Sequence, residues 1–135
     1  VNIRVVEDGD FEAIMCLWHA CGLEHPNNDS TESIRLKVEF QRDLFLVGEI
    51  EGELVGTVMA GYEGHRGWIN YLGVHPEGQK KGLGRELMDA AEKKLRALGC
   101  PKVNLQVRST NTEVVEFYKQ LGYLEEPRVS MGKKL

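Results

Sequence analysis

Gln79, Lys80, Lys81, Gly82, Gly84 and Arg85 crowd into one short stretch, and their types suit one task, holding an anion. Glycines lack the Cβ that would keep a ligand off the backbone. At the start of a helix the unpaired N–H groups and the positive end of the dipole favour negative charge. Lys80, Lys81 and Arg85 add charge of the right sign, so a phosphate-bearing ligand is the expected occupant. The same glycines also serve as punctuation in a strand-to-helix turn. Two better-known phosphate loops fit poorly: Leu83 follows Gly82 where a magnesium-nucleotide loop needs Gly-Lys followed by Ser or Thr, and Leu87 stands where a dinucleotide fingerprint needs its third glycine.

The flanking elements would position these residues. Residues 68–74 read as an apolar strand that Pro76 stops, and Leu83, Leu87, Ala91, Leu95 and Leu98 recur close to one face of a helix. A second constellation lies later, where Asn111 precedes Val114, Phe117, Tyr118, Leu121, Gly122 and Tyr123. Tyr118 carries a phenol that can donate a proton, and its helical spacing equally suits a core aromatic. Asn111 suits a helix cap, and Thr110 with Glu113 has capping-box spacing.

Taken together, Gln79-x-x-Gly82-x-Gly84 and the motif over residues 111–123 resemble the GNAT superfamily of acyl-CoA N-acyltransferases, over nearly the whole chain. Residues 61–67 and 98–102 look like its YpeA-type bacterial acetyltransferases. The resemblance implies an α/β (α+β mixed) GNAT fold: a mixed, mostly antiparallel central sheet with splayed middle strands, flanked by about four helices. It implies acetyl-CoA as acyl donor. The pantetheine arm would lie along Leu72, Gly73 and Val74, with a bulge nearby and no Gly73 side chain in its way. The pyrophosphate would lie on Gln79, Lys80, Lys81, Gly82, Leu83, Gly84 and Arg85, with Asn111 contributing to the pantetheine region and Tyr118 donating a proton to the leaving thiolate. Gly78 replaces an aromatic frequent in relatives, and Lys80 a frequent glycine.

Acetyl transfer to an amine needs a neutral lone pair, a polarised carbonyl and a proton for the thiolate. The general base is less legible. Gln106 occupies a position where some relatives carry Glu, and Trp68 and Asn70 occupy others where relatives carry Glu or His. Glu63, His65, Glu49 or ordered water remain as candidates, with His65 in an expected turn.

Bulk properties agree with this reading. The 135 residues, 41% of them hydrophobic, support one domain over residues 1–135. A net charge of −4 with no basic stripe beyond the loop argues against nucleic acid. No apolar run approaches the roughly twenty residues of a membrane span, and no signal sequence is seen before Ile3. Cys16, Cys21 and Cys100 are odd in number and lack a C-x-x-C pair, which suits reduced thiols in the cytoplasm; no metal is expected.

Along the chain, residues 2–6 alternate like a strand. Asp10 is expected to cap a helix with Phe11, Ile14, Met15, Trp18 and Cys21 on one face. A polar break over residues 25–30 precedes a second helix with Ile34, Val38 and Phe40 inward. Strands are expected over residues 44–50 and 54–62, joined at Glu51 and Gly52, over residues 102–108, and as a closing strand over residues 129–135. The reading that follows is an N-acetyltransferase moving an acetyl group to a primary amine of a small molecule or protein by direct attack in a ternary complex, as a monomer or homodimer. The alternative is a non-catalytic acyl-CoA sensor or interaction module.

Overall fold

The alternating residues at the start of the chain form β1 (Asn2–Val5), paired antiparallel with β2 (Phe45–Ile50). β2 turns through Glu51 and Gly52, at φ +52° and +80°, into β3 (Glu53–Tyr62). Two left-handed residues in a two-residue loop match the twist of the strands they join. β3 pairs antiparallel with β4 (Gly67–Val74), and β5 (Val103–Leu105) completes the order β1-β2-β3-β4-β5. This computed structural model describes residues 1–24 and 29–135, so residues 25–28 of the break expected over residues 25–30 lie outside the described residues. The chain divides into two compact units, Val1–Asn104 and Leu105–Leu135.

In the first unit, α1 (Phe11–Ala20) and α2 (Ser30–Gln41) cover one face of the sheet. Ile14, Leu17, Trp18 and Ile34 join Val6, Phe45, Val47 and Met59 in one buried cluster. Asp29 caps α2 by accepting from Glu32 N–H at 3.2 Å. Asp10 does not cap α1 as expected. Its carboxylate accepts from Glu7 N–H at 2.7 Å and pairs with Arg4 at 2.7 Å, and the guanidinium holds the acid below the usual carboxylate range. Phe40, expected inward, is 82% exposed. Six residues on from Ile34, it sits roughly 120° around the helix from the buried stripe, which continues at Val38 instead.

α3 (Leu83–Ala97) covers the opposite face, burying Leu83, Leu87, Met88, Ala91 and Leu95. The expected stripe ends one turn early: Leu98 is the C-cap and is 55% exposed. Leu83 and Leu87 lie directly on the sheet backbone. A Cβ at Gly56 would come within 2.8 Å of Leu87 and 3.2 Å of Leu83, so glycine there sets how closely α3 approaches β3. No helix among the described residues is long and apolar enough to cross a membrane.

In the second unit, α4 (Thr112–Gln120) is capped by Asn111, whose Oδ1 accepts from Val114 N–H at 3.4 Å. The cap is therefore Asn111, and the box spacing at Thr110 is unused. β5 is shorter than the strand expected over residues 102–108, and the closing strand over residues 129–135 does not form. Val129 and Met131 alternate with polar neighbours but are 87% and 89% exposed, because alternation gives a strand only where one face is covered and the backbone finds a ladder. What links this segment to residues upstream is a side-chain bond, Gln106 Nε2 donating to Ser130 Oγ at 2.6 Å.

Candidate active site

The expected distortion of β4 is present, centred one residue earlier than the Leu72 to Val74 segment. Thr57 pairs with Gly73 and Met59 with Asn70, so Tyr71 and Leu72 together oppose Val58. Tyr71 takes φ +49° at this bulge, a conformation that a bulky residue holds only when its surroundings enforce it. The enforcement comes from the core. Trp18 Nε1 donates to Thr57 Oγ1 at 3.0 Å, Thr57 Oγ1 donates to the Tyr71 carbonyl at 2.9 Å, and the Trp18 and Tyr71 rings stack at 3.9 Å. Sequence reasoning missed this chain of contacts. Its signal was Thr57, a lone hydroxyl inside the apolar run of β3 and fully buried in the fold.

Packing within the fold also asks for glycine at position 73. A Cβ there would meet Leu23 Cδ1 at 2.7 Å and Cys21 Sγ at 3.5 Å, so the space is taken by the segment after α1. The end of β4 is braced at one atom: the Val74 carbonyl accepts from Gln79 Nε2 at 3.0 Å and from Cys21 Sγ at 3.2 Å. Burial pushes the Cys21 thiol up, which keeps it a donor. His75 N–H bonds the Val55 carbonyl at 2.8 Å, and the His75 ring caps the short turn by accepting from Glu77 N–H at 3.2 Å.

The loop then rises into α3 through two left-handed residues, Lys80 at φ +66° and Gly82 at φ +83°. Lys80 thus occupies a conformation that glycine adopts without strain. Gly82 is the N-cap of α3 and offers no side chain to its first turn. Lys80, Lys81 and Arg85 are exposed there, and none has an ion-pair partner among the described residues. Cations at the positive end of a helix dipole are unfavourable by themselves and favourable around an anion. Leu83 contributes its side chain to the core and only its backbone to the loop.

In the second unit, Tyr118 is buried, with edge contacts to Phe117 at 5.1 Å and Tyr123 at 5.7 Å between ring centroids. Burial pushes its phenol up to about 12, so it carries its proton at neutral pH. Asn111 is exposed and serves as the cap described above.

The three base candidates differ in how free they are. Glu49 is tied to Arg4 at 2.6 Å on β2, two strands away from β4 in the sheet order, and is unsuited to take a proton beside β4. Glu63 accepts from His65 N–H at 2.9 Å and Arg66 N–H at 2.5 Å, closing the turn between β3 and β4. The His65 side chain is largely exposed, 3.9 Å from Glu63. Trp68 and Asn70 are exposed on β4, and Gln106 is bonded to Ser130.

A mostly antiparallel sheet with helices on both faces, whose bulged fourth strand leads into a cationic helix start, is the architecture of an acyl-CoA acyltransferase. Residues 12–123 match the Acetyltransferase (GNAT) family, and the chain belongs to that family. It is similar to an acetyltransferase of Pectobacterium atrosepticum, with 45% identity covering 100% of this chain and 96% of the relative. Among solved structures it resembles the ribosomal-protein-S18-alanine N-acetyltransferase of Escherichia coli, at TM-score 0.75 and 21% identity over 93% of this chain and 78% of the other. It also resembles an aminoglycoside N-acetyltransferase in complex with CoA, at TM-score 0.79 and 19% identity over 98% and 93% of the two chains. As a member of the family it is an acetyltransferase, with acetyl-CoA as donor.

Proposed function

We propose that acetyl-CoA binds with its pyrophosphate on the backbone N–H groups of Gly82, Leu83 and Gly84, ringed by Lys80, Lys81 and Arg85. Its pantetheine arm then runs beside Leu72, Gly73 and Val74 toward the first half of β4. The observation that carries this reading is the trio of unpaired cations at the positive end of α3 behind a left-handed glycine. Gln79 braces the loop through Val74. Asn111 and Tyr118 enter through the motif match over residues 111–123.

The reaction is direct attack by a neutral primary amine of a small molecule or protein in a ternary complex. The C–N bond forms, the thioester C–S bond breaks, Tyr118 protonates the departing thiolate, and the amine proton leaves to water. Residues 1–135 act as one domain, a reading supported by a family match that runs across both units. The three free cysteines support a cytoplasmic setting, with the protein acting as a monomer or homodimer.

Calorimetric titration with acetyl-CoA, CoA and ATP tests the site. Acetyl-CoA and CoA are expected to bind more tightly than ATP, and Gly82→Asp is expected to weaken both at least tenfold by setting a negative charge where phosphate should lie. Wild-type affinity in a folded Gly82→Asp protein would overturn the assignment.

A further inference from the structure

The acetyl-transfer reading leaves the acceptor undefined, and one side chain on the α1/α2 face of the sheet bears on it. Lys37 lies half-buried on α2, its Nζ donating to Gln41 Oε1 at 3.1 Å. Gln41 is itself pinned to the sheet, accepting from Tyr62 N–H at 3.2 Å and donating to the Tyr62 carbonyl at 3.4 Å. The amine is thereby held over β3 at Gly61, where a Cβ would come 3.5 Å from Nζ.

Lys37 has no carboxylate partner among the described residues, and on α2 Glu32 and Glu39 are already bonded to Arg35. Burial holds its ammonium down at about 8, with no acid charge opposing that shift. At neutral pH the group is still mostly charged, partly stripped of water and paired only with a neutral amide.

Register places Lys37 relative to the proposed reaction. Gly61 opposes Trp68 and Met59 opposes Asn70, and directly opposed residues share a face with Cβ atoms about 5 Å apart. Lys37 therefore stands on the face that carries Trp68 and Asn70, both exposed. At roughly 3.3 Å per residue along a strand, Leu72 is about 7 Å beyond Asn70 and about 13 Å beyond Trp68. A thioester at the end of an arm lying along the second half of β4 would thus face an acceptor whose far end reaches Trp68 and Lys37.

We propose that Lys37 is the seat for a carboxylate on the acceptor, with Trp68 and Asn70 flanking the chain that joins that carboxylate to the reacting amine. The acceptor class is then an amine bearing a carboxylate several bonds away, as in a basic amino acid reacting at its side chain or a short peptide reacting at its N-terminus. Polyamines and aminoglycosides lack the group that Lys37 would hold. This inference rests on the acetyl-transfer reading above.

The test uses the full chain, acetyl-CoA and a thiol-release assay on paired amines that differ only in the carboxylate: lysine against cadaverine, and alanyl-alanine against its C-terminal amide. At least one carboxylate member is expected to exceed its partner tenfold or more in kcat/KM. Lys37→Met is expected to erase that preference through KM rather than kcat, Lys37→Arg to retain part of it, and Trp68→Ala, altered at an exposed site, to weaken it. Equal turnover of both members of each pair, or a preference that survives in Lys37→Met, would overturn the proposal while leaving acetyl transfer standing. Turnover of none of the four amines would also overturn it, and titration with acetyl-CoA in the same preparation then shows whether the donor site fails with it.

Discussion

Replacing Thr57 by valine keeps the volume of a fully buried side chain and removes one hydroxyl. That hydroxyl accepts from Trp18 Nε1 at 3.0 Å and donates to the Tyr71 carbonyl at 2.9 Å, so both partners are left unpaired in the interior. A buried donor or acceptor stranded in this way costs about 1–3 kcal/mol, which puts the loss for the pair at about 2–6 kcal/mol. For a domain of this size, at about 4 °C per kcal/mol, that corresponds to a fall in Tm of roughly 8–24 °C. Thr57→Ser is the control: it keeps the hydroxyl and loses one methyl group, at about 1 kcal/mol. Urea and thermal denaturation of the full chain measure both variants. Because the same bond holds Tyr71 at φ +49°, the valine variant should also bind acetyl-CoA more weakly, while the serine variant should not. A valine variant within 1 kcal/mol of the wild type would refute the idea that this hydroxyl holds the bulge.

Tyr118→Phe keeps the ring contacts with Phe117 and Tyr123 and removes the proton donor. Melting should stay near wild type while kcat falls by about a hundredfold, the usual scale for an acid, with acetyl-CoA affinity little changed. Since the phenol is pushed up to about 12, no loss of wild-type activity below pH 10 should trace to this residue; near-normal turnover of the variant with chemistry rate-limiting would return Tyr118 to a packing role. Lys80→Gly removes left-handed strain of about 1 kcal/mol and adds unfolded-chain freedom of similar size. Stability should therefore move by less than about 1 kcal/mol while acetyl-CoA affinity drops severalfold with the lost charge; a larger destabilisation, read by urea denaturation, would contradict the strain assignment at φ +66°.

The sequence by itself determined what local rules govern. Glu51 with Gly52 made a tight hairpin, the apolar stripe of α3 was legible from Leu83 to Leu95, and Gly82 ahead of Leu83 marked a helix start that presents bare N–H groups. Each depends on neighbours within a few residues, where periodicity and backbone preference suffice. Tertiary structure alone decided features that depend on partners distant in the chain. Phe40 and Leu98 carry the right residue type, yet helix phase and helix end left them in solvent. The alternation at Val129 and Met131 found no covered face to make it a strand. Glu49 lost its standing as a base to Arg4, 45 residues away in sequence, and the bulge at Tyr71 depends on Trp18 reaching Thr57 across 39 residues. Lys37 reads in sequence as one more surface lysine. It becomes a candidate for recognition only because α2 lays it over Gly61 with an amide for company and no carboxylate, a combination of burial and pairing that spacing along the chain does not encode.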